Sequence, residues 1–234
     1  NGTGYIVMEY INGVDLKHYL KGMGGKLDEA TVLALMKPVF ESLYEVHKNG
    51  LVHRDISPDN IMVDNEGKIK LIDFGSVRGQ SAETDKTYTV ILKHGYAPPE
   101  QYYAKGKQGP WTDIYSLCAT MYKMLTGEVP PNGVERMEED TYVDPSKKGI
   151  SVSERTETVL RKGLAVKAPE RYQDSCSQIC MEVDRLQRAM QCRRQIHIPH
   201  LETEIVRCLH RCSRCIWHRD RTIPHLEKIK RRLG

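Results

Sequence analysis

A one-sided apolar stripe at helical spacing, closed at both ends by stop signals, constrains this chain's fold more than any other feature. Between Asp28, a candidate N-cap, and Gly50, a candidate C-terminal stop, the positions Val32, Leu35, Met36, Val39, Phe40, Leu43 and Val46 share one helical face. A helix of that length with an apolar stripe has to bury it. Pro38 lies well inside and removes one backbone bond, at a cost of about 3 kcal/mol, so a kink or break is expected there.

Around this helix the chain alternates short strands with further helices. Tyr5-Ile6-Val7-Met8 reads as a strand, Asn12-Gly13 as a turn, and Leu16 to Leu20 as a short helix. Ile61-Met62-Val63 and Ile69-Lys70-Leu71-Ile72 read as two strands joined through Asp64-Asn65-Glu66-Gly67, a hairpin that ends at Asp73. Residues 75–110 hold five Gly and three Pro without a sustained period, a candidate functional loop. Helical periodicity returns over 112–125, 154–163 and 174–190. The prediction is a mainly helical body with its strands near the start, and no internal repeat.

With 39% apolar and 28% charged residues and 7 Cys in 234 residues, collagen-like, disulfide-scaffold and fully disordered classes are excluded. No run approaches 18 apolar residues, so no membrane-spanning segment is expected. The opening Asn1-Gly2-Thr3-Gly4-Tyr5 has neither the basic nor the apolar region of a signal peptide and reads as a cut. Charge divides the chain near Met190. Residues 189–234 carry 11 Lys/Arg against 4 acids, a net +7, which leaves 24 bases and 27 acids, a net −3, for residues 1–188. The same stretch holds 4 of the 7 Cys and 5 of the 9 His. Two units are therefore expected, 1–188 and a basic Cys/His-rich tail over 189–234, helical or partly disordered.

The chemistry concentrates where the long helix gives way to the hairpin. His53-Arg54-Asp55 is followed by Asn60, and Asp73-Phe74-Gly75 closes the second strand. Phosphoryl transfer to a hydroxyl needs one carboxylate to orient and accept the proton, with further oxygens to hold Mg²⁺ against phosphates. Asp55, Asn60 and Asp73 supply such oxygens, and hard oxygen ligands suit Mg²⁺. The joint spacing of triplet, Asn, hairpin and Asp-Phe-Gly is what makes the pattern specific.

On these motifs the chain resembles the protein kinase family, and within it bacterial serine/threonine kinases of eukaryotic type, over roughly residues 5–188. The resemblance implies an α+β kinase-like fold: a hinge and a mainly helical C-terminal lobe with a short β-hairpin at the catalytic site. The N-terminal β-lobe, with its Gly-rich loop, strand Lys and helix Glu, is missing from the chain. It implies Asp55 as catalytic residue, and Asn60 and Asp73 as Mg²⁺ ligands. Met8-Glu9-Tyr10-Ile11 looks like the hinge that meets adenine through its backbone at Glu9 and Ile11, with Met8 as gatekeeper, Asp15 approaching the ribose and Met62 under the adenine. Structural support falls to His53 and Arg54, to Asp113, which resembles the buried Asp holding the catalytic loop, and to Glu100 of Pro98-Pro99-Glu100 paired with Arg171. Arg54 further implies a phosphate on the activation segment, with Thr84, Thr87 and Thr89 as candidate phosphosites and Ser81 behind them.

Two departures stand out. The family's serine/threonine members usually carry a Lys two positions after the catalytic Asp, where this chain has Ser57. They usually carry a Thr facing that Asp in the activation segment, where this chain has Lys93. Lys93 is expected to restore the missing cation, since a Lys reaches phosphate from either loop; the alternative is a solvated loop Lys. In the tail, Leu201, Ile205, Cys208, Leu209, Cys212 and Ile216 follow helical spacing. Cys208, Cys212 and Cys215 admit coordination of Zn²⁺ or an iron–sulfur cluster, or simply a helix interior of small thiols. Weak contact with an anionic surface is a further reading, as is a tail that is no folded unit. An odd number of Cys without framework spacing points to reduced thiols and a cytoplasmic setting, with any membrane anchor elsewhere in the parent protein. The expected activity is ATP-dependent transfer of a γ-phosphate to a protein serine or threonine, with ATP and Mg²⁺ as cofactors and a protein as substrate. This chain is then an inactive fragment of that enzyme. The alternative is a non-catalytic kinase-like binding or scaffold module.

Overall fold

A computed structural model of the chain describes residues 8–79 and 92–173, with Met181, Arg185 and Arg188 beyond them. The long helix is α2, Glu29–Lys48, following the short α1, Leu16–Gly22. Asp28 caps α2, its carboxylate accepting from Thr31 N at 3.1 Å, and Gly50 beyond the other end sits at φ 69°. Of the kink or break expected at Pro38, the break does not occur: one helix runs through it. Val32, Leu33, Leu35 and Met36 before the proline and Val39, Phe40 and Leu43 after it are all buried, and that burial offsets the lost bond.

The second main helix, α3 (Pro110–Thr126), is buried around most of its circumference and packs on α2 and on α5, Glu154–Gly163. Its inward hydroxyls are satisfied by its own backbone: Ser116 and Thr120 donate to the carbonyls of Thr112 and Ser116, at 3.3 and 2.9 Å. A short helix at Glu135–Glu138, α4, carried no periodic signal in the sequence.

The strands β1 (Gly13–Asp15), β3 (Ile61–Asp64) and β4 (Ile69–Leu71) form one antiparallel sheet in the order β1-β3-β4, and β2 (Leu51–Val52) pairs with β5 (Arg78–Gly79). The hairpin therefore forms over 61–71. The turn expected at Asn12-Gly13 is instead the start of β1, with Gly13 opposite Asp64. Gly13 has to be glycine there: a Cβ would stand 2.2 Å from the Val63 carbonyl oxygen. The strand expected at 5–8 falls outside the described residues except for Met8, which is not in a strand. Of the helix expected over 174–190, Met181, Arg185 and Arg188 are helical and the rest lies outside the described residues, as does the whole tail. No helix among the described residues is long and apolar enough to cross a membrane.

Candidate active site

The loop 53–60 leaves β2 and enters β3, so both its ends are fixed by strand pairing. Its backbone is held from below by α3. The Asp113 carboxylate, fully buried, accepts from His53 N at 2.8 Å through one oxygen and from Arg54 N at 2.7 Å through the other. His47, near the end of α2, adds its Nε2 at 2.7 Å. Sequence reasoning missed His47, although it falls one helical turn after Leu43 on the apolar stripe, where an imidazole needs a buried partner. Arg54 sits at φ 72°, a left-handed conformation that a non-glycine residue adopts only where its surroundings enforce it. Gln101, also missed, is one of those surroundings: its Nε2 donates to the Arg54 carbonyl at 2.8 Å.

Asn60 ties the loop to the hairpin. Its Nδ2 donates to the Asp55 carbonyl at 2.7 Å, leaving its amide oxygen for another partner. Its own carbonyl accepts from Ile72 N at 2.9 Å, which sets Asp73 beside it in the chain. Asp73 is left-handed as well, at φ 61°, and one carboxylate oxygen accepts from Gly75 N at 3.2 Å. Among the described residues no cation pairs with Asp73, and it is exposed. His53 closes the gap between the two loops, its Nε2 3.2 Å from the Ile72 carbonyl and its ring edge-on to Phe74 at 4.9 Å. Burial lowers the His53 pKa below its ordinary value, outweighing the pull of Asp113, the Ile72 carbonyl, Asp55 and Asp73.

Lys93 lies across this loop. Its Nζ is 2.9 Å from Asp55 Oδ1 and donates to Ser57 Oγ at 2.9 Å. The space beside Asp55 is lined by Arg54, Ile56, Lys93, Tyr96, Ala97 and Gln101. Below it, Glu100 and Arg171 form a buried two-pronged ion pair at 2.7 and 3.1 Å, and Thr112 Oγ1 donates to Glu100 at 3.0 Å.

The residues expected at the nucleotide are less closely gathered. Met62 on β3 is half-buried opposite Asp15, and Ile11 is half-buried. Glu9 is exposed and pairs with Lys70 at 2.5 Å, and Met8 and Tyr10 are exposed too. The Asp15 carboxylate has a local task as N-cap of α1, accepting from His18 N at 2.8 Å. Ser81, Thr84, Thr87 and Thr89 lie outside the described residues.

A helical body with a small antiparallel sheet, and an Asp-bearing loop hung on a buried carboxylate, define a protein kinase fold. The protein kinase domain model matches residues 1–196, and the chain belongs to that family. It is 34% identical to serine/threonine-protein kinase PrkC of Bacillus subtilis over 180 residues, 72% of this chain and 27% of PrkC. It is 33% identical to PknB of Mycobacterium leprae over 179 residues, 72% of this chain and 28% of PknB. Over 127 residues, 53% of this chain and 25% of the relative, it is 41% identical to serine/threonine-protein kinase F of Synechocystis. The solved structure of PpkA-294 in its apo form superposes with a TM-score of 0.62 at 33% identity, over 76% of this chain and 61% of that one. The chain thus spans about a quarter of the length of these curated relatives.

Proposed function

We propose that the protein is an ATP-dependent protein serine/threonine kinase with Asp55 as the residue that receives the acceptor proton. The observation that carries this is the Asn60 junction: one side chain and its own carbonyl fasten the Asp55 loop to the strand end that carries Asp73. Three oxygen-bearing groups are thereby fixed to one scaffold, as in-line transfer requires.

The donor set fits Mg²⁺, since the exposed Asp73 carboxylate, paired with no cation among the described residues, and the remaining Asn60 amide oxygen are hard ligands. Mg²⁺ bound to the phosphates would neutralise charge there. On the acceptor side, Asp55 positions the serine or threonine hydroxyl and takes its proton as the new oxygen–phosphorus bond forms and the bond from that phosphorus to the ADP oxygen breaks. The Glu9 and Ile11 backbone and the Met62 side chain would hold the adenine. The relatives' designation as serine/threonine kinases supports the choice of acceptor. The buried free thiol of Cys118 suits a reducing, cytoplasmic setting.

The test is transfer of γ-phosphate from Mg-ATP to a generic basic protein by the full-length protein, with Asp55→Asn beside wild type. Asp55→Asn is expected to lose at least about 10³-fold in kcat. Wild-type protein that binds Mg-ATP but transfers no more than the variant is a non-catalytic binding module instead.

A further inference from the structure

Lys93 is placed with more care than an ion pair requires. The Lys93–Asp55 pair is half-buried, and the cost of taking both charges partly out of water offsets much of their attraction, so stability alone gives little reason to aim an ammonium at Asp55. Yet the ammonium is fixed from two sides, by Asp55 Oδ1 and by the hydroxyl of the fully buried Ser57. Its backbone is fixed too, the Lys93 carbonyl accepting from Tyr96 N and Ala97 N at 3.0 Å each. An ammonium has three donors, and among the described residues Asp55 and Ser57 take two. The Lys93 side chain keeps 29% of its surface open, so the third donor is available to a group arriving at Asp55.

We propose that Lys93 is a catalytic residue whose ammonium holds an oxygen of the phosphoryl group in transfer, with the Ser57 hydroxyl as its fixed support. The proposal rests on the kinase reading above. As the acceptor oxygen bonds to phosphorus, the bond from phosphorus to the ADP oxygen breaks and the hydroxyl proton passes to Asp55. Lys93 stays protonated throughout and acts as a point charge on the equatorial oxygens. The charge is thus delivered across 36 residues from Ser57, on the segment just before Pro98-Pro99-Glu100. If residues 92–97 leave their seat, the site loses its cation at the same moment.

The experiment compares wild type, Lys93→Met, Lys93→Thr and the relocation variant Ser57→Lys/Lys93→Thr in the full-length protein. It reads kcat, thermal stability, and the ratio of affinities for a non-hydrolysable Mg-ATP analogue and Mg-ADP. The single variants are expected to lose about 10²-fold in kcat and most of the preference for the third phosphate, while melting close to wild type. The relocation variant is expected to regain both to within about tenfold of wild type, because the ammonium returns from the other loop. Should Lys93→Thr fold poorly, Lys93→Met decides, since it keeps the side-chain stem and removes only the charge. Single variants within about threefold of wild-type kcat with the preference intact overturn the proposal, as does a folded relocation variant no better than Lys93→Thr. Those results leave an active wild type standing. Wild type that neither transfers phosphate nor binds the analogue overturns the kinase reading, and this proposal with it.

Discussion

His53 shows how a single residue in the site reports on the fold. Burial holds its pKa below the ordinary 6.5, so the unfolded chain binds a proton there that the folded chain refuses. Stability is complete above about pH 6.5 and falls as pH drops toward the folded value. Urea unfolding at pH 7.5, 6.5 and 5.5 is expected to show this loss in wild type, by up to about 1.4 kcal/mol per pH unit, and a shallower loss in His53→Phe. At this scale the sequence was most informative. His53, Asp55, Asn60 and Asp73 could be singled out because they stand at fixed spacing along a short stretch of chain, and the fold brings them to neighbouring loops. Lys93 came into view as a partner for the Ser57 position only through the family resemblance, since a hydroxyl and a lysine 36 residues apart become a pair only when folded. Glu29 was not legible at all. It looks like an ordinary acid in a first helical turn, yet it is buried and accepts from Ser153 N at 3.1 Å and Ser153 Oγ at 2.6 Å.

Elements were legible where periodicity is sustained: α2 was read from its stripe and its cap at Asp28, and α5 from periodicity alone, the Ser153 side chain that caps it emerging only in the fold. They were not where tertiary contact overrides local preference. β1 exists because β3 lies beside it, some fifty residues later, and its Gly13 signals a close approach instead of a turn. The α3–α5 contact has the same character. Gly163, the last residue of α5, leaves no room for a side chain: a Cβ there would stand 2.2 Å from Cys118 Sγ and 3.1 Å from Cys118 Cβ. Gly163→Ala is expected to destabilise the fold by about 2 kcal/mol through overpacking, and Cys118→Ala in the same chain to recover part of that. Guanidinium unfolding of both variants measures it, and an unchanged midpoint for Gly163→Ala refutes the tight contact.

Across the molecule, Arg171 closes the structure on itself. Besides Glu100 it donates to the carbonyls of Ala165, Val166 and Trp111, at 2.7, 2.8 and 3.3 Å, and it stacks on Tyr115 with 4.8 Å to the ring centre. Arg171→Ala strands a buried carboxylate and is expected to cost about 3–5 kcal/mol. Arg171→Lys is expected to recover little of it, because one ammonium cannot replace a planar fork of five donors. Equilibrium unfolding of the two variants gives both numbers. The site above stands on this frame and on Asp113, whose two oxygens hold the amides of His53 and Arg54 inside the contact between α2 and α3. Those amide protons exchange only when they leave the carboxylate of Asp113, which is itself fully buried on α3. On the clock of hydrogen–deuterium exchange, the stretch that carries Asp55 therefore keeps time with the hydrophobic core, although its shape is that of a loop.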